Sequence, residues 1–216
     1  MHMSSNNLST SHTSRTRCIQ CTRPLARCLC HLVPHLDSRT RIVVLQHPSE
    51  TDHALNTARL AALGLNNAAL LIGETFPDLP TLLADPVYQP CLLFPGDQAQ
   101  TLVAPIEETD AKPLLLVVLD GTWRKARKLL HVNPALSLLP RIALPAGRQS
   151  RYRLRKAPAP GMISTLEAIV CALNLLEAPR NFDALLVPFE ALIDQQIAAM
   201  GEQTYLRNHV NHVLAE

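Results

Sequence analysis

The chain has 216 residues, 47% of them hydrophobic and 18% charged, with a formal net charge of +2. That length supports one substantial core with a small appendage, or two small domains. Its longest apolar runs, Leu114–Leu119 and Ala68–Ile72, fall well short of the roughly 20 residues of a bilayer-spanning helix, which excludes that class of membrane protein.

Residues 1–16 are polar, rich in Ser, Thr and Asn, and carry no apolar h-region or cleavage site. They read as a disordered tail rather than a signal peptide, and the chain is expected in the cytoplasm. A small knuckle follows at 17–36, where four of the six cysteines lie within 13 residues as Cys18-x2-Cys21 and Cys28-x-Cys30. Thiolates at this spacing can converge tetrahedrally on one zinc ion, and a closed four-sulfur site is structural. Unrelated thiols and redox pairs are the alternatives. Arg17, Arg23 and Arg27 would help keep the sulfurs ionised. His31 and His35 could replace one cysteine, although beside a complete set they read as bystanders. Cys91 and Cys171 are expected in the core.

From residue 37 the pattern is that of an α/β domain. Arg41–Gln46 is a β-branched run, a buried strand broken by His47-Pro48. Ser49 with Asp52 gives a loose capping signal for a helix from Glu50 to Leu63, stopped by Gly64. Ala68–Gly73 and Cys91–Phe94 are two further strands. Four prolines between Phe76 and Pro90 restrict any helix there to a short one. Leu114–Leu119 is continuously apolar, the mark of a central strand covered on both faces in a parallel sheet. It runs into Asp120-Gly121-Thr122-Trp123 and a basic helix from Arg124 to about His131. Arg141–Leu144 is a short strand, and 145–161 a long Pro- and Arg-rich loop of the kind that carries function. Ser164-Thr165-Leu166-Glu167 is a capping box opening a helix to Glu177. A last helical region covers Phe182 to Val213, interrupted near Pro188. The fold class is α/β, a mainly parallel sheet flanked by helices.

Ligands of open parallel sheets gather at the carboxyl ends of strands. Three loops have that position: Gln46-His47-Pro48, Phe94-Pro95-Gly96 and Asp120-Gly121-Thr122-Trp123. Asp120 is the only acid between itself and Lys156, a stretch with ten basic side chains and a net charge of +9, so the rest of the chain carries −7. Such a segment is either a polyanion-binding face or a solvated one. Surrounding cations would keep Asp120 ionised and able to take a proton. Its structural alternative is an N-cap for the following helix. Trp123, the sole tryptophan, could stack on a base or adenine, or belong to the core. No G-x-G-x-x-G or P-loop is present.

Several of these segments, in order, resemble the DTW-domain family. Asp120-Gly121-Thr122-Trp123 matches its D-x-T-W signature. Gln46-His47-Pro48-x-Glu50 with Asn56-Thr57-Ala58 resembles its first motif, and Leu92-Leu93-Phe94-Pro95-Gly96 its second. Ser150-x-Tyr152-x-Leu154-Arg155 followed by Ser164-Thr165-Leu166-Glu167-Ala168 is similar to its last, and the cysteine knuckle matches bacterial members. The resemblance makes 37–216 a catalytic domain with a SPOUT-like fold and a C-terminal trefoil knot, which periodicity and spacing do not reveal. It implies a tRNA-uridine aminocarboxypropyltransferase that uses S-adenosylmethionine and leaves 3-(3-amino-3-carboxypropyl)uridine in the tRNA elbow.

On that basis Asp120 is the expected base for uridine N3. Phe94, Pro95, Gly96, Leu119, Gly121, Thr122, Trp123 and Leu144 would hold the cofactor. Ser164 and Thr165 would bind its carboxylate at a helix N-terminus, or else cap their own helix. Arg124, Lys125, Arg151, Arg153 and Arg155 would grip tRNA phosphates. His47 and Glu50 are further active-site candidates without an assigned role. A methyltransferase with the same cofactor and a non-catalytic zinc-stabilised RNA-binding module are the rival readings.

Overall fold

The computed structural model describes residues 16–104, 111–147, 149–154 and 163–210. Six strands form one sheet: β1 (Arg41–Gln46), β2 (Ala68–Ile72), β3 (Gln89–Leu93), β4 (Gln100–Thr101), β5 (Leu114–Asp120) and β6 (Arg141–Ala143). Their order is β2-β1-β5-β3-β6-β4, and every pairing is parallel. The two-residue β4 escapes the sequence pattern because its side chains are exposed and carry no apolar signal.

Among the described residues six α-helices accompany the sheet: α1 (Ala58–Gly64), α2 (Leu79–Leu83), α3 (Trp123–Val132), α4 (Thr165–Leu176), α5 (Leu186–Met200) and α6 (Glu202–Tyr205). Strand alternation divides the buried side chains between two cores. Ile42, Val44, Leu116 and Val118 point to the face covered by α1, α4 and α5. Val43, Leu45, Leu115 and Val117 point to the other, against Leu79 of α2 and Ala126 and Leu129 of α3. The continuous apolar run of β5 is thus explained by burial on both sides.

The connections after β1 and β5 decide where a crevice opens. β1 leads through α1 to β2 on one side, whereas β5 leads through α3 to β6 on the other. The two helices also lie on opposite faces. Adjacent parallel strands whose connections leave in opposite directions form a topological switch point, where ligands of such sheets bind. Register places Gln46 beside Asp120 at that point.

Two expected helices are corrected. The helix expected from Glu50 to Leu63 is a 3-10 turn at Pro48–Glu50, a looped stretch over 51–57, and α1. The reason is local: Asn56 Nδ2 binds the carbonyls of Glu50 and Thr51, which a continuous helix would have used itself, and His47 rather than Ser49 caps the first turn. Gly64 does end α1, and its lack of a side chain is required, since a Cβ there would lie 2.3 Å from Leu185 Cδ2. The break expected near Pro188 falls instead at Gly201, whose φ is +85°. Pro188 stands in the first turn of α5, where no helical hydrogen bond depends on its nitrogen. The path between β6 and α4, on which a trefoil knot turns, includes residues 148 and 155–162, outside the described residues.

Candidate active site and metal centre

Asp120 is the last residue of β5 and is buried, 9% exposed. It does not cap the following helix: Thr122 does, accepting from the backbone N–H of Lys125 at 3.4 Å. Gly121 makes the separation possible. Its φ of +151° would strain any other residue, and a Cβ there would stand 3.1 Å from Lys125 Cβ, which would have to give way. The carboxylate takes no part in that cap and is held from both sides. Gln46 Nε2 donates to Oδ2 at 2.8 Å, and Thr165 Oγ1, at the start of α4, donates to Oδ1 at 2.5 Å.

Gln46, fully buried, extends the network outward. Its Nε2 also donates to Asn56 Oδ1 at 3.0 Å. Glu50 reaches across to Lys125 Nζ at 2.6 Å, tying the 48–57 segment to α3. Between them opens a cavity of about 320 Å³, lined by Asp120, Gly121, Thr122, Ser164 and Thr165 on one side and by Glu50, His53, Leu55, Asn56 and Thr57 on the other, with Tyr152 and Leu154 completing it. Its volume is at the lower end for small-molecule sites.

Not all the expected cofactor residues line this cavity. Gly121, Thr122, Ser164 and Thr165 do, whereas Phe94, Pro95, Gly96, Leu119, Trp123 and Leu144 do not. Phe94, just past β3, and Trp123, at the start of α3, meet edge to face at 5.7 Å between centroids. Pro95 and Gly96 are exposed beside them, and Leu144 is half-buried after β6. Ser164 fulfils its capping alternative: its Oγ accepts from Glu167 N, and Glu167 returns a carboxylate oxygen to Ser164 N at 2.7 Å. Glu167, 5% exposed, also accepts from Ser150 Oγ and Arg151 N, so one buried carboxylate fixes both the start of α4 and the 150–154 segment. His47 lies outside the cavity lining; its Nε2 is 3.0 Å from Glu74. Glu74 also takes Lys128 Nζ at 2.6 Å, and that contact holds its carboxyl below the usual carboxylate range.

Sequence reasoning gave no role to Gln46, Asn56 or Tyr152, and read Glu167 only as the capping-box partner of Ser164. The signal for Gln46 was present: like Asp120, it is a polar residue ending an otherwise apolar strand. The pairing of β1 with β5, which makes those two ends one site, is a property of the fold.

The basic stretch is less exposed as charge than its composition implies. Lys125 pairs with Glu50, Lys128 with Glu74, Arg151 with Glu190 at 3.0 Å, and Arg153 with Asp194. The acids that the stretch lacks are folded onto it from the negative remainder. Arg124 is exposed on α3, and Arg155 lies outside the described residues.

Across the 51–60 segment from this cavity, the four cysteines of the knuckle do converge. Cys18 and Cys30 sulfurs are 3.6 Å apart, Cys21 and Cys28 sulfurs 3.7 Å, and all four lie within 4.8 Å of one another. A tetrahedron with metal–sulfur bonds of 2.3 Å has sulfur–sulfur edges of about 3.8 Å, so the donor set fits a tetrathiolate ion. No disulfide joins them, and His31 and His35 are exposed and outside the cluster. Backbone donors at Cys21 and Gln20 bring the Cys18 thiol down to about 6, while burial and the neighbouring sulfurs push Cys30 up to about 12. Four such thiols ionise together only around a cation. Arg23, expected to assist, spends its donors on the carbonyls of Arg27 and Ala54 and on Gln195 Oε1. Leu29, within the knuckle, is fully buried in the core shared with α1, α4 and α5. Cys91 is buried as expected, which pushes its thiol up to about 12; Cys171 is half-buried on α4. Among the described residues, no helix is long and apolar enough to cross a membrane.

A family profile described as DTW domain matches residues 15–197. The tRNA-uridine aminocarboxypropyltransferase 2 of Drosophila melanogaster is 35% identical over 196 residues, covering 85% of this chain and 76% of that protein. Its namesake in Macaca fascicularis is 30% identical over 206 residues, covering 91% and 68%. The tRNA-uridine aminocarboxypropyltransferase A of Arabidopsis thaliana is 28% identical over 197 residues, covering 77% and 75%. No solved structure matches the chain at a significant level.

Proposed function

The chain belongs to the DTW-domain family, and we propose that it transfers the 3-amino-3-carboxypropyl group of S-adenosylmethionine to N3 of a uridine in tRNA, with Asp120 as the base. The observation that carries the proposal is the Asp120 carboxylate, gripped by Gln46 and Thr165 at the wall of a cavity at the sheet's switch point. A non-catalytic binding module gives such a carboxylate no task.

S-adenosylmethionine supplies a sulfonium that makes its attached methylene electrophilic. The residues of this chain orient and deprotonate. Gln46 and Thr165 hold the Asp120 carboxylate in place, so that it is aimed to take the N3 proton. The cavity, about 320 Å³, is too small for a nucleoside and the whole cofactor together. We assign the remainder to Phe94, Pro95, Gly96, Leu119, Trp123 and Leu144, of which Phe94 and Trp123 are in contact. The first turn of α4, at Ser164–Thr165, offers its dipole to a carboxylate. Glu50 and His47 tie the turn after β1 to Lys125 of α3 and to Glu74. Arg124, Lys125, Arg151, Arg153 and Arg155 would receive tRNA phosphates, because surface ion pairs such as Arg153–Asp194 contribute only about 0–1 kcal/mol and exchange readily. Zinc on Cys18, Cys21, Cys28 and Cys30 would be structural, with no open coordination position. The all-parallel sheet is compatible with a SPOUT-like fold, and the C-terminal knot rests on the family resemblance alone.

The test is incubation with unmodified tRNA and S-adenosylmethionine, followed by digestion and mass analysis of nucleosides. The proposal predicts an aminocarboxypropyl adduct on uridine. A methyl adduct, or none, would overturn it.

A further inference from the structure

A second hollow, of about 180 Å³, lies between the cysteine knuckle and the 51–60 segment. His53 and Asn56 line both it and the Asp120 cavity, so it begins where the active site ends. Four guanidinium groups border it: Arg17, Arg23 and Arg27 from the knuckle and Arg59 from α1. The single carboxylate among its walls is Asp52, 3.9 Å from Arg17, with both side chains mostly exposed.

These arginines are held differently from those of the basic stretch. There, Lys125, Lys128, Arg151 and Arg153 each have a carboxylate partner. Here, apart from the long and exposed Arg17–Asp52 pair, the tethers are neutral: Arg17 to the Thr22 carbonyl, Arg23 to the Arg27 and Ala54 carbonyls and the Gln195 amide, and Arg59 to the Gln20 carbonyl. Such bonds fix a guanidinium without neutralising it. Arg59 Nε is, among the described residues, the one buried side-chain nitrogen or oxygen with no hydrogen-bond partner, a sign that the charge here is not balanced from within. A tetrathiolate zinc would carry two negative charges and offset part of the surplus of three positive ones; one remains.

We propose that this groove is an RNA-phosphate subsite that receives the backbone flanking the target uridine, making the knuckle part of the RNA-binding surface. Only the identity of the polyanion rests on the transferase reading. Guanidinium groups pre-set on carbonyls match phosphate oxygens as donors in a fixed fork, and the shared wall at His53 and Asn56 leads one strand from groove to cavity.

The test measures tRNA affinity across a salt series for the full chain and for Arg27→Gln/Arg59→Gln, with zinc content determined on the same samples. Each lost phosphate contact lowers the slope of log affinity against log salt by about 0.7–0.9. The double variant is therefore expected to lose about 1.5 of slope and to bind at least about tenfold more weakly, with zinc retained. Arg27→Gln alone, at an exposed position, should lose about half as much and serves if the double variant does not fold. Unchanged slopes, or weakening seen only where zinc is lost, would overturn the proposal. A reduced slope with no uridine adduct from the unaltered enzyme sinks the transferase reading and leaves the groove standing; an adduct with an unchanged slope does the reverse.

Discussion

The cysteine knuckle and the Asp120 site are both built around side-chain ligands, and they are assembled by opposite means. The knuckle takes its four sulfurs from 13 consecutive residues, so its geometry is a property of local chain, and four thiols in contact need a cation before all can ionise. The Asp120 site draws on residues 46, 120 and 165, three elements that only the parallel sheet and α4 bring together. As a metal site the knuckle would be conditional on its ion, whereas the Asp120 site is conditional on the fold. The buried Leu29 and the tether from Arg23 to Ala54 are where the first condition feeds into the second.

Removing the metal should break that comparison most sharply. A strong chelator, or Cys28→Ser, is expected to lower the thermal midpoint by at least about 10 °C, which corresponds to about 4 kcal/mol for a chain of this size. Differential scanning calorimetry checks it, and an unmoved midpoint would mean that the knuckle does not brace the domain. A smaller effect separates positioning from packing at the strand ends. Gln46→Met keeps the length of the buried side chain but deletes the donor to Asp120, and a hydrogen bond to a charged group is worth about 1.5–3 kcal/mol. Turnover should fall roughly tenfold or more in steady-state assays while the protein stays folded; undiminished turnover would show that Thr165 alone suffices. The smallest effect belongs to the paired cations. Arg153→Ala should leave stability within about 1 kcal/mol, since its ion pair with Asp194 is exposed, and lower the salt slope of tRNA binding by about one phosphate contact.

The same contrast sorts what the sequence made legible. The cysteine set, the capping box at Ser164 and Glu167, and the doubly buried β5 each depend on neighbours within a few residues, and all are present in the structure. The helix expected from Glu50 went wrong because Asn56 turns back to cap carbonyls, a competition that apolar periodicity does not register. Gln46 drew no role because its importance comes from lying beside Asp120 in a parallel register, and pairing between strands 74 residues apart leaves no mark in either one. The +9 stretch is incomplete in the same way: composition counts its missing acids, while Glu50, Glu74, Glu190 and Asp194 return to it through tertiary contacts.

The central claim is that a carboxylate at the switch point takes the proton from uridine. Asp120→Asn tests it most directly, since the amide keeps the shape and loses the base. Single-turnover transfer to tRNA, followed by nucleoside mass analysis, should slow at least about a hundredfold, with tRNA affinity and zinc content preserved. Transfer within a few-fold of the unaltered enzyme would contradict the account.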